Sequence, residues 1–422
     1  MNTNSYTLTS LLIFFYVASV IAFSFSAEDV EISNLIGVAL VVSFVIESLV
    51  KRLPVSQSFT WAHALFFWFV LYCASSLIFT PEGYLRVRTL ALLFILSVIL
   101  SSVIGRSGSI RPVIYGVFTG LGVATLAAAD QLLSFSAERA SSTLGNANIY
   151  ALALLVGTFF CLYNLLVFEN KRFHAVGLIV NLAGILLFGY QIVFLTGSRK
   201  GIFVFSIILF LSYLSLLRRQ TKIIKLFSLG GGILLVVGLW QAIHLSPHFR
   251  RVEAAFLFAT GRDTGDGSIN ARLALSNDAL NLWTNKPLFG WGADQFRFIS
   301  DFGRYSHNNY SELLMTVGIV GFILFYGMYI YIINYGVKFF LSKNISKKKL
   351  GFWILVTGMS FLIMDIAAVS YYSKLHWIVL STILGLISFH KVVAITAEGA
   401  ISFASFQQNP NRPEAIVESD GG

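Results

Sequence analysis

The stretch LLFGYQIVFLTGSRKGIFVFSIILF, residues 186–210, decides the fold class of this chain. Two apolar runs flank a short polar turn, 196–201, and with the residues beyond them each run approaches the roughly 20 residues that a membrane-spanning helix needs. Two glycines in the turn allow the backbone to reverse its direction. The stretch therefore predicts two membrane helices that are joined at one surface of the membrane.

Long apolar runs of this kind extend over most of the chain, whose 422 residues are 56% hydrophobic and 12% charged. A soluble globular protein carries about 25% charged residues, so the soluble class is excluded. The sequence predicts an all-α integral membrane protein with about twelve membrane helices. Both cysteines, Cys73 and Cys161, lie within apolar runs and are predicted to be small buried residues. The predicted spans are 8–26, 33–50, 59–80, 88–104, 112–132, 147–168, 174–196, 201–217, 223–244, 309–335, 350–371 and 375–392.

Basic residues alternate along the predicted loops. The loops that hold Lys51, Arg106, Lys171, Arg218 and Lys347 are richer in Lys and Arg than most of the short loops between them. By the positive-inside rule, this pattern predicts that both termini are cytoplasmic. The same pattern explains the formal charge of +10 by basic loops that face anionic lipid, so the charge does not indicate nucleic-acid binding. Residues 1–403 are predicted to be a polytopic membrane domain, and 404–422, with few apolar residues, a disordered tail.

One outer loop, 245–308, is much longer than the others, and long loops are commonly functional. Within it, 270–285 has the pattern of an amphipathic helix that ends before Pro287. A cationic loop at the outer surface would attract a phosphorylated, membrane-bound substrate. The basic residues of this loop include Arg250, Arg251, Arg262, Arg272, Lys286, Arg297 and Arg304.

The sequence lacks the motifs of familiar soluble enzymes, including the phosphate-binding glycine loops and the common zinc motifs. We therefore expect neither a metal nor a cofactor. Arg199 and Lys200, in the turn 196–201, are basic residues on a side of the membrane where such residues are few. Two interpretations are open. They anchor the turn to lipid headgroups, or they bind an anion, as arginine does when it holds phosphate oxygens with paired hydrogen bonds.

The run SHNNYSELL, 306–314, marks the return of the long loop to the membrane. His307 is predicted to be functional, because a histidine titrates near neutrality and can take a proton from a hydroxyl group. Asn308 and Asn309 are candidates to bind sugar hydroxyls or to cap the following helix. Tyr310 is a further candidate substrate contact, and Glu312 is a candidate to orient His307 or to satisfy it.

Two further polar positions have open interpretations. The segment 138–148 contains Arg139, Asn146 and Asn148, and its serine, glycine and asparagine content indicates a loop and a helix cap, with a substrate contact as the alternative. Asp365 lies inside the eleventh predicted span. An acid within the membrane is a functional candidate, but it also serves to pair with a buried polar group.

Four stretches in this order resemble the O-antigen ligase and polymerase superfamily. They are 139–148, the turn 196–201, the run 271–292 with its NKPLFGWG ending, and 307–321, which begins HNNY and ends GIVG. The large outer loop lies between the turn and the last stretch, as it does in that superfamily. The resemblance covers about 139–330.

The resemblance implies a metal-independent, inverting glycosyltransferase of the membrane-embedded GT-C type in a bacterial plasma membrane, with its active site on the outer face. Its donor would be an oligosaccharide on undecaprenyl diphosphate, its acceptor a glycan or a lipid, and a chain-length regulator is a candidate partner. Arg199 and Arg272 match residues thought to hold the diphosphate. His307 matches a histidine thought to activate the acceptor hydroxyl. The other candidate substrate contacts are Arg139, Asn146, Asn148, Lys200, Asn308, Asn309, Tyr310 and Glu312.

Three functions are compatible with this sequence. The sequence HNNYSELL, residues 307–314, favours a polymerase of surface-polysaccharide repeat units. A ligase that transfers the finished glycan to lipid A-core or to protein shares the donor, and therefore shares the motifs. The alternative of another class is a lipid-linked glycan transporter, which should depend on charges deep in the spans, such as Asp365. A transferase should instead depend on Arg199, Arg272 and His307 at the outer face.

Overall fold

The computed structural model describes residues 7–23, 29–51, 58–134, 140–167, 174–217 and 267–408, with a few residues between 237 and 257. The regular structure of these residues is entirely helical. The main helices are α1 (Leu8–Ala22), α2 (Asp29–Val50), α3 (Trp61–Ser76), α4 (Tyr84–Ser107), α5 (Arg111–Leu133), α6 (Ala147–Leu166), α7 (His174–Tyr190), α8 (Arg199–Leu217), α9 (Gly267–Asn285), α10 (Phe296–Ile299), α11 (Asn309–Phe340), α12 (Ile345–Asp365) and α13 (Lys374–Gln408).

Seven helical segments of the described residues are long and apolar enough to cross a membrane. They lie in α2, α4, α5, α6, α7 with the π-helical turn that extends it, α11 and α13. The shorter apolar helices α1 and α3, together with α8 and α12, occupy four further predicted spans. The ninth predicted span, 223–244, lies largely outside the described residues. The all-helical membrane fold is confirmed, and the total of about twelve spans stays a prediction.

Helix α6 lies at the centre of the assembly, since nearly every side chain from Ala147 to Tyr163 is buried. It packs against α5, α7, α8 and α12. Trp353 of α12 is fully buried and donates its indole N–H to the carbonyl oxygen of Phe159, at 2.7 Å. Such close packing and interhelical hydrogen bonding hold membrane helices together, because lipid is as apolar as the protein interior. Helix α6 is therefore firmly placed.

The segments that were predicted to share the outer membrane face meet at one end of the helix assembly. The backbone N–H of Ala140 donates to the carbonyl oxygen of Leu195, which joins the segment before α6 to the end of α7. Lys200, at the start of α8, donates to the carbonyl oxygen of Ala367, just after α12. Lys374 donates to Ser33 of α2. The loop ends and helix starts that carry the sequence motifs therefore lie on one side of the helix assembly.

Helix α11 is interrupted at Gly318, which has φ 61° and ψ −168°. The segment 286–292 fills the interruption. Its carbonyl oxygens at Pro287 and Leu288 accept from the N–H groups of Ile319 and Val320, while Trp291 and Gly292 donate to the carbonyl oxygens of Met315 and Thr316. A broken membrane helix needs such partners for its freed backbone groups. The two glycine-containing motifs therefore form one structural unit.

Gly290 and Gly318 face each other within this unit. A Cβ added to Gly290 would lie 2.5 Å from the carbonyl oxygen of Thr316, and one added to Gly318 would lie 2.3 Å from that of Leu288. Both residues also have φ in the left-handed region, 72° and 61°. These positions leave no room for a side chain, so the glycines are required by the close approach of the two backbones.

The long-loop helix, predicted over 270–285, is observed as α9, Gly267–Asn285. Its apolar residues Leu275 and Ala279 form a small core with Phe296 and Met315, which fixes the loop on α11. The last helix, α13, continues to Gln408 and covers the first five residues of the tail predicted from 404. Residues 409–422 lie outside the described residues.

Candidate active site

A cavity of about 370 Å³ opens at the end of the helix assembly where these segments meet. Its wall is built from the start of α6, the start of α8, α9, the segment before α11, and the connection between α12 and α13. Five different parts of the sequence therefore converge on it, although most of them are far apart in the chain. The polar residues of the wall are Asn146, Asn148, Lys200, Arg272, Tyr305, His307, Tyr372, Ser373, Lys374 and His376.

The wall of this cavity is cationic. Lys200, Arg272 and Lys374 contribute three basic side chains, and the described residues of the lining include no Asp or Glu. His307 and His376 add two imidazoles. Concentrated positive charge in a partly enclosed space raises the local concentration of anions. The cavity is therefore suited to an anionic ligand, and the anion-binding interpretation of the basic turn is favoured over lipid anchoring for Lys200.

Arg272 reaches the cavity because of how α9 docks. Ser276 donates from its hydroxyl to that of Ser311 on α11, at 3.2 Å, and accepts from the side-chain amide of Asn308, at 3.3 Å. Arg272 precedes Ser276 by four residues and lies on the same helix face. The contacts of Ser276 thus place Arg272 over the beginning of α11, beside His307.

His307 occupies a strained position at the cavity. Its φ is 61°, in the left-handed region, where a residue with a Cβ costs about 1–2 kcal/mol. Its ring is half-buried and makes an edge-on contact with the ring of Tyr305, with 4.6 Å between the centroids. Among the described residues no protein group hydrogen-bonds this ring. Strained, unpaired residues of this kind are commonly functional.

Burial and nearby positive charge keep the His307 imidazole neutral. Burial is the largest cause, followed by the charges of Arg272, Arg304 and Lys200, and together they lower the pKa of His307 to about 4. A neutral imidazole has a lone pair that can accept a proton. The side chain is therefore in the form that a general base requires, and its role as the base stays a prediction.

Asn146 and Asn148 lie at the N-terminal end of α6. The side chain of Asn146 caps the helix by accepting from the N–H of Asn148, at 2.8 Å. Asn148 accepts in turn from the hydroxyl of Ser198, at 3.0 Å, which ties α6 to the turn 196–201. Both asparagines also line the cavity. The cap and the substrate contact, which were alternatives in the sequence, are thus compatible in the structure.

The structure gives Asn308, Asn309 and Tyr310 positions in the protein framework, outside the cavity wall. Asn308 caps α11 by accepting from the N–H of Tyr310, at 2.9 Å. Asn309 is fully buried, donates to Tyr326 and Asp365, and accepts from the N–H groups of Ser370 and Tyr371. Tyr310 donates to the carbonyl oxygen of Leu362. None of these three side chains is among those that line the cavity, and each is paired with protein. Their substrate contacts stay predictions.

Glu312 is also buried, and it accepts from the backbone N–H of Ser306, at 2.7 Å. It therefore fixes the residue before His307 and does not touch the cavity. Arg199 lies next to Lys200 at the start of α8, but it is not among the residues that line the cavity. Arg139 lies outside the described residues.

Asp365 is the centre of a buried hydrogen-bond network. It accepts from Asn309 at 3.2 Å, from Tyr326 at 3.0 Å, and from the hydroxyl of Ser370. Its side chain is fully buried, and its nearest cavity-lining partner is His376, at 3.9 Å. The network joins α11, α12 and the connection that follows α12. The structure therefore supports the interpretation that Asp365 pairs with buried polar groups.

Residues 182–326 match the family model described as O-Antigen ligase. The match confirms the resemblance to the O-antigen ligase and polymerase superfamily. No curated protein matches the chain. The match supports a membrane glycosyltransferase of O-antigen ligase or polymerase type. Lys200, Arg272 and His307, which lie in the cavity wall, all fall within the matched stretch.

Part of the cavity lies outside the stretch matched to the O-antigen ligase family. Tyr372, Lys374 and His376 come from the connection between the last two helices and the start of α13. None of these three residues was predicted from the sequence as a site residue. Their signal in the sequence is weak, because the segment YYSKLHW, 371–377, reads as an ordinary short loop followed by a span.

A set of charged side chains lies behind the cavity wall. The guanidinium of Arg86 lies 3.4 Å from the ring centre of Tyr372 and donates to Asp294 at 3.1 Å. Asp294 also pairs with Arg297, at 2.7 Å. This chain of contacts connects α4, the long loop and the cavity wall. Within the described parts of the chain, no group of three or more His, Cys, Asp or Glu residues is arranged to hold a metal ion.

Proposed function

We propose that this protein is an inverting glycosyltransferase that uses an oligosaccharide on undecaprenyl diphosphate at the outer face of a bacterial plasma membrane, and that it polymerises the repeat units of a surface polysaccharide. The observation that carries the proposal is the cavity, in which Lys200, Arg272 and the unpaired imidazole of His307 share one wall, whose described residues include no acidic side chain.

The chemistry of the transfer requires two things from the protein. An acceptor hydroxyl attacks the anomeric carbon of the donor, a new carbon–oxygen bond forms, and the bond from that carbon to the diphosphate oxygen breaks with inversion. The electron pair leaves with the lipid diphosphate, and the hydroxyl proton must be removed. The protein must therefore stabilise negative charge at the leaving group and supply a base.

The basic side chains of the cavity meet the first requirement. Lys200 approaches from the start of α8 and Arg272 from α9, so the two charges reach the leaving diphosphate from different elements. Preplaced charges in a site shielded from water stabilise developing negative charge strongly. Arg199, beside Lys200, keeps the diphosphate-binding role that the family resemblance implies. Positive side chains can fill this role without a metal, which supports the metal-independent class.

His307 meets the second requirement. Its imidazole is neutral, unpaired and in the same cavity, and in the proposed step one ring nitrogen takes the proton of the acceptor hydroxyl. Glu312 and Asn308 fix the backbone on either side of it through Ser306 and the cap of α11. The backbone of His307 is left-handed and not helical, and this conformation directs the ring toward the cavity.

The second candidate function is a ligase that transfers the finished glycan to lipid A-core or to protein, and the description of the matched family favours it. Both functions use the same donor and the same groups in this cavity. They differ in the acceptor. The HNNYSELL run remains the feature that favours the polymerase.

The test is deletion of the chromosomal gene in the native host, with gel analysis of the surface glycan and complementation by wild type, Lys200→Gln, Arg272→Gln and His307→Ala. Acceptor capped by a single repeat unit would establish the polymerase. Long polymer left on the lipid carrier, with bare acceptor, would establish the ligase. Full complementation by all three variants would rule out the transferase site and favour the transporter.

A further inference from the structure

His376 has the features of a ligand-binding residue that neither the sequence motifs nor the family match identified. It lies in the first turn of α13, its side chain is 1% exposed, and it lines the cavity together with Lys200 and His307. Both of its ring nitrogens lack a hydrogen-bond partner in the described structure. A buried polar group left without a partner costs about 1–3 kcal/mol, so a partner from outside the chain is expected.

The surroundings of the ring restrict what that partner can be. On one side, His376 lies against the ring of Phe361, with 4.3 Å between the centroids. Its Nε2 is 3.9 Å from an oxygen of Asp365, too long for a hydrogen bond. Asp365 is held by Asn309 and Tyr326 and cannot easily move closer. The remaining open side is the cavity, whose wall is cationic.

We propose that His376 is a further binding residue for the diphosphate of the lipid-linked donor, with its ring N–H donating to a phosphate oxygen. This inference rests on the proposed function, because it takes the anion in the cavity to be a lipid diphosphate. A cationic wall selects an anionic ligand, and an anion oxygen is the acceptor that an imidazole N–H lacks here. His376 holds the leaving group from α13, opposite the charges of α8 and α9.

This arrangement assigns different tasks to the two histidines of the cavity. His307, half-buried beside the exposed Tyr305, faces the acceptor and takes its proton. His376, almost fully buried beside Phe361, faces the diphosphate. Substitution of His376 should therefore act on the donor, while substitution of His307 should act on the chemical step.

The experiment measures the binding of undecaprenyl diphosphate, without glycan, to the purified full chain in lipid nanodiscs, with undecaprenol as the neutral probe. His376→Phe keeps an aromatic ring against Phe361 and removes both nitrogens. His376→Asn keeps an amide N–H. His390→Phe is the matched control, because His390 lies on the same helix, contacts Phe339 and Phe389, and is not part of the cavity wall.

We expect His376→Phe to weaken the binding of undecaprenyl diphosphate by about 10-fold to 100-fold, the range for a hydrogen bond to a charged group. His376→Asn should restore part of the affinity, His390→Phe should bind as wild type, and undecaprenol binding should not change. In transfer assays, the donor KM should rise while the acceptor KM stays constant.

Two results would overturn the inference. In the first, His376→Phe is folded and binds undecaprenyl diphosphate as wild type does, while Lys200→Gln and Arg272→Gln bind it weakly; the proposed function then stands without His376. In the second, neither His376 variant yields folded protein, which makes the residue structural. If the Lys200 and Arg272 variants also bind as wild type, the proposed function itself fails.

Discussion

The carboxyl group of Glu312 accepts a hydrogen bond from the backbone N–H of Ser306, at 2.7 Å, and thereby holds the residue that precedes His307. Both Glu312 and Ser306 are buried, and Ser306 donates its hydroxyl to the carbonyl oxygen of Asn308. The loop is thus tied down on both sides of His307. This relationship explains how a residue with a left-handed backbone keeps one orientation at the cavity.

Replacement of Glu312 should impair transfer through the position of His307. Glu312→Ala leaves the N–H of Ser306 unsatisfied in a buried place, which costs about 1–3 kcal/mol, and we expect transfer to fall at least 10-fold. Glu312→Gln retains an oxygen that can accept the same bond and should keep most of the activity. Transfer rate and thermal unfolding of both purified variants are the measurements. Equal activity of the two would show that this hydrogen bond does not position His307.

The pH dependence of transfer should follow the lowered pKa of His307. A general base works in its deprotonated form, so the rate falls as the pH drops through the pKa. Since burial and positive neighbours lower that pKa to about 4, we expect the acid limb of kcat/KM near pH 4 and not near pH 6.5. kcat/KM reports the free enzyme, which is the state described by the structure.

Arg304→Gln is the matched variant for this profile. Arg304 is exposed and lies outside the cavity wall, but its charge contributes to the lowered pKa of His307. Its removal should move the acid limb to higher pH and leave the plateau rate nearly unchanged. An unmoved limb in this variant, with a limb in wild type near pH 6.5, would contradict the role of His307 as the titrating base.

Lys200 and Arg199 should differ in their effect on the donor. Lys200 lines the cavity and Arg199 is not among the lining residues, although the family resemblance assigns the binding of the diphosphate to Arg199. We expect Lys200→Gln to weaken the binding of undecaprenyl diphosphate at least as strongly as Arg199→Gln does. The expected loss for Lys200→Gln is about 10-fold or more, because the variant loses a hydrogen bond to a charged group. A strong effect of Arg199→Gln combined with a silent Lys200→Gln would show that the cavity wall does not identify the ligand.

The contact between Gly290 and Gly318 should tolerate no side chain. Gly318→Ala would place a Cβ 2.3 Å from the carbonyl oxygen of Leu288 in a left-handed backbone, and such strain costs about 1–3 kcal/mol before the clash is counted. We expect a lower unfolding temperature in detergent and loss of transfer. Gly122→Ala, with nothing within 4 Å of the added carbon, is the control and should behave as wild type.

Asp365→Ala should lower the yield of folded protein. The substitution removes the acceptor of Asn309, Tyr326 and Ser370 in the protein interior, and breaking a buried network of this kind costs several kcal/mol, roughly 3–5 for a charged member. Thermal unfolding in detergent is the measurement. Loss of surface glycan in this variant would therefore indicate transport only if its stability equals that of wild type.

Local sequence was sufficient for the elements of the fold. Apolar runs of helical length predicted the positions of the helices, because a membrane helix satisfies its own backbone and needs only an apolar surface. The amphipathic pattern over 270–285 predicted α9, and the polar residues before α6 and α11 predicted their caps, as Asn146 and Asn308 show. The position of His307 in a cavity wall was also within reach of the sequence, since a histidine at the start of a span is conspicuous in an apolar sequence.

What the tertiary structure decided is which polar groups face the same space. Asn309, Tyr310 and Glu312 follow His307 directly in the sequence, yet their side chains are used inside the protein, while His376 reaches the cavity from a segment about 70 residues further along. Sequence spacing specifies which face of a helix a residue occupies, but not what that face meets. The contacts between helices decide that, and these come from packing among α6, α8, α9, α11 and α13 that no local pattern encodes.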